Sequence, residues 1–293
     1  MSLRLEMLQV ARLSPNLLSD STASIVDFVR AQQNQDGGFS DLNGKSDVYY
    51  TMFALLCLQA LQQDLPVDSV TPYLDTFTEL DTLDFVHLSC LARCHGCLDS
   101  HHEDRNQRMM REIEQYRSRD GGYHPDQKHA EQGTIYGCFL AVGSYQDLGG
   151  ELPDPAGMAE CLASLRTEDG AYANEASLRI GTTPATAAAV TLLRHLDHPV
   201  DREVGKWILQ QCHQDGGFFA MPFAPIPDLL TTATALHALE TLELSFEHLK
   251  EPCLDFIDSL WSTKGAFYGN WEEETLDCEY TFYGLLALGH LSL

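Results

Sequence analysis

The 293-residue sequence predicts an all-α fold: a closed ring, or α/α toroid (α6/α6 barrel), of six helical hairpins forming one domain over residues 1–293. Three observations carry that expectation. A short glycine turn followed by an aromatic residue recurs along the chain. Each copy lies between two segments of helical apolar periodicity. The second segment of each pair is apolar on most faces, which suits a helix enclosed by others.

The turns are QDGGF ending at Phe39, RDGGY at Tyr123, EDGAY at Tyr172, QDGGF at Phe218 and the weaker TKGAF at Phe267. Their spacings are 84, 49, 46 and 49 residues, so the first gap holds a hidden unit. That unit is VDSVTPYLDTFTELDTLDFVHLSCLARC, with two helical segments and no glycine turn. The hairpins fall near 24–61, 66–97, 108–147, 156–196, 202–243 and 250–292. Glycine is expected at the left-handed C′ position that closes each first helix, with the aromatic folding back over the helix end.

The second helices open on a capping signature. DVYYT at 47–51, DLLTT at 228–232 and DCEYT at 277–281 put an N-capping Asp four residues before Thr, and TTPAT at 182–186 uses Thr in place of Asp. Parallel inner helices bring their N-termini to one mouth, each with roughly half a positive charge, above an apolar lining.

Composition narrows the partners. Lys plus Arg total 18 against 43 Asp plus Glu, a formal charge of -25, which repels nucleic acid and anionic membrane surfaces. No apolar stretch approaches the length of a membrane span, and the start MSLRLEMLQVARLSPNLLSD lacks the pattern of an export signal. Nine cysteines, mostly in apolar segments such as ALLCLQAL and YGCFLAV, read as free thiols in a reducing compartment, and the expected location is cytoplasmic.

QDGGF followed by a DxYYT-type helix resembles the repeat of the protein prenyltransferase beta subunits and squalene cyclases, from about Ser24 to the C-terminus. DCEYTFYGLLALGHL and IPDLLTTATALHAL are similar to the last two inner helices of the Rab geranylgeranyl transferase beta subunit. The resemblance implies an isoprenoid or isoprenyl diphosphate in the central cavity, a helical-repeat alpha subunit as partner, and one zinc. The family's zinc positions correspond to Asp228, Leu230 and Tyr280, its diphosphate cations to Pro222 and Pro225, and its cavity histidine to Thr182. Only Asp228 retains a ligand, so the family zinc is expected to be absent and the ligand to be an isoprenoid or similar lipid.

The cyclase relatives imply a second chemistry, protonation of an alkene by a carboxylic acid at the same helix start. Asp277 and Glu279 occupy the first and third places of that motif, and Asp228 is the equivalent acid one helix earlier. In those cyclases a second domain completes the cavity. The plainer reading makes Asp277 an N-cap and Glu279 a first-turn acid complementing the helix dipole. A third possibility is a non-catalytic ligand-binding or protein-interaction toroid. The mouth residues expected to converge are Asp47, Tyr50, Thr182, Asp228, Thr231, Asp277, Glu279, Tyr280 and Tyr283. With no Arg or Lys among them, they favour a neutral or cationic ligand, or a divalent cation. A separate cluster, His87, Cys90, Cys94, Cys97, His101 and His102, has spacings compatible with a metal site or with buried thiols beside exposed histidines.

Overall fold

The computed structural model describes residues 1–293. Two short helices, α1 (Leu3–Ala11) and α2 (Pro15–Leu18), precede six hairpins. The hairpins pair α3 (Ser21–Ala31) with α4 (Val48–Ala60), α5 (Val67–Leu74) with α6 (Phe85–Cys97), and α7 (Glu103–Glu114) with α8 (Ile135–Leu148). They continue with α9 (Pro155–Ser164) and α10 (Thr183–His195), α11 (Glu203–Leu209) and α12 (Leu229–Thr241), and α13 (Lys250–Ser259) and α14 (Cys278–Leu291). The second helix of each pair packs on the next, and α14 returns to α4, closing an inner ring inside the outer helices. No helix is long and apolar enough to cross a membrane.

Every inner helix begins with a side-chain cap. Asp47, Asp84, Thr134, Thr182, Asp228 and Asp277 each accept a backbone N–H two or three residues on. Such a cap contributes about 1 kcal/mol. The threonine of the motif completes the joint. Thr51 and Thr232 donate to the carbonyls of Asp47 and Asp228 and accept the N–H of Phe39 and Phe218, at 2.7 and 2.9 Å in both hairpins. Sequence spacing thus becomes a clamp between the buried aromatic and the inner-helix start.

The glycine turn has a different geometry from the expected C′ cap. The residue after α3, Gln32, is right-handed, and the left-handed glycine comes later, in a reverse turn closed by Gly37 N–H to the Asn34 carbonyl. Gly121, Gly170, Gly216 and Gly265 repeat that turn, with φ between 86° and 90°. Four of the five turns also serve as spacers. A Cβ on Gly37, Gly121, Gly216 or Gly265 would meet the backbone of the next outer helix at Ser69, Gly157, Pro252 or Ser24. The last contact joins hairpin six to hairpin one, so the same turn that links neighbours also closes the circle.

The N-terminal segment lies outside the sequence-predicted repeats, and the fold gives it a specific place. α1 lies against the C-terminal portions of the inner helices: Leu3 N–H donates to Gln146 Oε1 at 2.8 Å, and a Cβ on Gly289 would sit 2.1 Å from the Val10 carbonyl oxygen. The helix stoppers the end of the ring opposite the mouth.

Candidate functional site

The inner helices enclose a cavity of about 430 Å³, within the range of small-molecule sites. Because the helices are parallel, residues equally far from their starts lie at similar depth. The second residues Tyr49, Tyr136, Pro184 and Leu230 line the mouth, and Glu279 is the second residue of α14. Met52, Phe53, Phe139, Ala188, Phe282 and Tyr283 form the middle. The ninth residues Leu56, Arg93, Thr191, His237 and Leu286 form the deepest layer, about 10 Å below the mouth at 1.5 Å rise per residue, and Met7 of α1 adds to the floor.

Glu279 accepts a hydrogen bond from the Tyr49 hydroxyl at 2.6 Å. Burial raises its carboxyl to about 7, the charge of Asp277 adds to the rise, and the Tyr49 bond opposes it. The folded state therefore holds a proton that the flexible chain, near 4.5, releases. Its stabilising effect is complete below about pH 4.5 and is lost as pH rises through 7. Glu279→Gln is expected to match the wild type in stability at pH 4 and to exceed it by on the order of 2 kcal/mol at pH 8, after allowance for partial exposure. Denaturant melts at both pH values check this, and an offset independent of pH would contradict it.

The other mouth residues are largely engaged in structure. Asp228 accepts from the backbone N–H and hydroxyl of Thr231, both at 2.7 Å, and buried Asp277 accepts from Tyr280 N–H at 2.8 Å. Burial pushes both carboxyls up. Asp47 caps α4 and lies 3.4 Å from His87 Nε2, while His87 Nδ1 lies 2.8 Å from Asp84. The hydrogen bond to Asp47 leads the rise of the imidazole to about 9, and the same bond leads the fall of Asp47. A protonated His87 thus offsets part of the acidity that the sequence presents without Arg or Lys. Thr182 and Tyr283 line the cavity, whereas Tyr50, Thr231 and Tyr280 do not. In α4 and α12 the residue two after the capping position, Tyr49 or Leu230, lines the cavity, and the residue three after it, Tyr50 or Thr231, does not.

The residues present do not fit the family zinc. Both oxygens of Asp228 are bound to Thr231, Leu230 lines the cavity with an apolar side chain, and the Tyr280 ring packs over Gly269. The cysteine–histidine cluster is also dispersed, which corrects its reading as a metal site. His87 stands at the mouth, buried Cys97 is ten residues along the same helix, and His101 pairs with Asp99 in an exposed position. Burial raises the thiols of Cys90, Cys94 and Cys97, so they hold their protons. No group of three or more His, Cys, Asp or Glu side chains is placed to hold a metal ion.

Sequence reading missed Tyr49, Tyr136, Arg93 and His237 in the cavity wall. Arg93 had a legible signal, a lone cation within the apolar run FVHLSCLARC. It also missed an apolar rim. Leu42, Leu178, Ile180, Met221, Phe223 and Trp271 are exposed on the loops that lead into the inner-helix starts.

The family model described as prenyltransferase alpha-alpha toroid domain matches residues 6–86, 69–181 and 172–292. The chain belongs to this family. The toroid is similar to a variant of the type II terpene cyclase MstE from Scytonema in complex with its substrate, geranylgeranyl dihydroxybenzoate, at TM-score 0.63 and 12% identity, covering 95% of this chain and 97% of that one. It is also similar to Candida albicans protein geranylgeranyltransferase-I complexed with GGPP, at TM-score 0.52 and 14% identity, over 98% of this chain and 82% of that one. No curated protein matches the chain in sequence. The cyclase match corrects one expectation: a type II cyclase is covered almost end to end by this single toroid, so a second domain is not a general requirement.

Proposed function

We propose that this toroid binds one isoprenoid chain in its central cavity, with Glu279 and Tyr49 presenting a proton or hydrogen bond at the mouth. The observation that carries this reading is the cavity itself, with an aromatic and aliphatic wall from Tyr49 and Tyr136 down to Leu56 and Leu286. A polyprenyl tail gains roughly 25 cal/mol for each Å² of apolar surface it buries there. The exposed apolar side chains on the rim loops suit entry of such a tail. The two structural relatives whose ligands carry geranylgeranyl groups support the same class.

Zinc-dependent protein prenylation is not supported, because the donor set is missing; a helical-repeat alpha subunit as partner is carried by the family resemblance alone. Cyclisation initiated by Glu279 is the second reading, favoured by the one-toroid cyclase relative. Two features oppose it. A carboxyl held at about 7 keeps its proton too firmly to be a strong acid toward an alkene. Arg93 in the deepest layer would also repel a carbocation, by roughly 2 kcal/mol at about 8 Å and an effective dielectric constant near 20.

Mass spectrometry of lipids extracted from natively purified protein tests the proposal. An isoprenoid at near-stoichiometric amount is expected. Enrichment of straight-chain fatty acids with no isoprenoid would overturn it.

A further inference from the structure

In the wall of the deepest layer two guanidinium groups share one carboxylate. Asp147 accepts from Arg4 Nε at 2.7 Å through Oδ1 and from Arg93 Nε at 2.9 Å through Oδ2. The side chains of Arg4, Arg93 and Asp147 are 13%, 12% and 1% exposed. Two cations against one anion leave a unit of positive charge inside the protein, and no carboxylate lines the cavity. Desolvating an unpaired charge is unfavourable, so such a site gains from a bound anion.

The excess charge faces the cavity through Arg93, because Arg93 borders it and Arg4 does not. Its only hydrogen bond runs from Nε to Asp147, which leaves both terminal nitrogens free to donate. The fold makes room for that group: a Cβ on Gly143, the ninth residue of α8, would lie 2.5 Å from Arg93 Nη2. His237 borders the same layer. Its Nδ1 lies 3.1 Å from His290 Nε2, and its own Nε2 is buried without a partner.

We propose that Arg93 binds the headgroup of the cavity ligand, and that the headgroup is a carboxylate seated at the closed end of the cavity with the isoprenoid tail running toward the mouth. The proposal rests on the isoprenoid reading and deepens it. One leftover charge and a planar donor fork match one carboxylate. A diphosphate carries more charge than this layer neutralises, and Arg93 is the only Arg or Lys lining the cavity. The orientation is the reverse of the one suggested by helix N-termini at the mouth, where Asp228, Asp277 and Glu279 oppose an anion.

Calorimetric titration of four probes tests it: geranylgeranoic acid, its methyl ester, geranylgeraniol and geranylgeranyl diphosphate. The wild type is expected to bind the acid at least tenfold more tightly than the alcohol or ester, and more tightly than the diphosphate. Arg93→Met leaves Arg4 and Asp147 as a balanced pair, and it should lower affinity for the acid at least tenfold and erase its preference over the alcohol. Equal wild-type affinity for acid and alcohol would overturn the proposal while leaving the isoprenoid reading intact, and it needs no variant. Tightest binding of the diphosphate, or an acid preference that persists in Arg93→Met, would also overturn it. If neither acid nor alcohol binds, both readings fail.

Discussion

Gly265→Ala is expected to destabilise the protein by about 2–5 kcal/mol, while Gly170→Ala costs about 1 kcal/mol. Both glycines occupy the same left-handed turn, with φ of 87° and 86°. They differ in what surrounds them. A Cβ at 265 would stand 2.1 Å from the carbonyl oxygen of Ser24, and backbone cannot step aside as a flexible side chain can. A Cβ at 170 meets nothing within 4 Å. The pair therefore separates the conformational cost of the turn from the cost of forcing two hairpins apart. Gly265 also lies where the last hairpin meets the first, so the lost contact is the one that closes the ring. Urea melts of the two variants measure the difference, and equal losses would show that the spacing role is wrong.

Removing the shared carboxylate should have an effect of similar size. Asp147→Ala leaves Arg4 and Arg93 buried with no counter-charge, at about 3–5 kcal/mol. It also releases one of the bonds that hold α1 across the ring. Faster hydrogen exchange in residues 3–11 is expected to accompany the lower melting point. Arg93→Met should lose much less, because one cation and one anion remain. A loss from Arg93→Met as large as that from Asp147→Ala would contradict this account of the charges.

The ring was legible because its signals are local and repeated. A capping Asp, a Thr four residues on, and an aromatic after a glycine turn are each set by one turn of backbone, and each appears at a countable spacing. The second hairpin, which lacks the glycine turn, was still recoverable from the gap it leaves. The turn itself was misplaced, since sequence does not say whether a left-handed glycine caps a helix directly or sits six residues beyond it, as Gly37 does relative to Ala31. The place of α1 within the domain carries no local signal, because the segment before the first hairpin belongs to no repeat and the polar partners that seat α1, such as Gln146 and Asp147, are far away in sequence.

The site was less legible than the fold for a geometric reason. Capping residues such as Asp47, Asp228 and Asp277 are conspicuous in sequence. Their carboxylates are turned onto the helix ends they cap. The cavity wall is instead built by residues that look ordinary in an apolar helix, among them Tyr49, Phe139 and Ala188. Which face of each inner helix meets the axis depends on the packing of six helices at once, and no single segment encodes it.

Filling the cavity tests the central claim most directly. Ala188 lines the middle of the wall on α10, and Ala188→Phe places a ring in the space assigned to the isoprenoid tail. Titration of geranylgeraniol into wild type and variant is expected to show binding to the first and at least a tenfold loss in the second, with the helical content of both unchanged. Undiminished binding by a folded Ala188→Phe protein would place the lipid elsewhere and contradict the account.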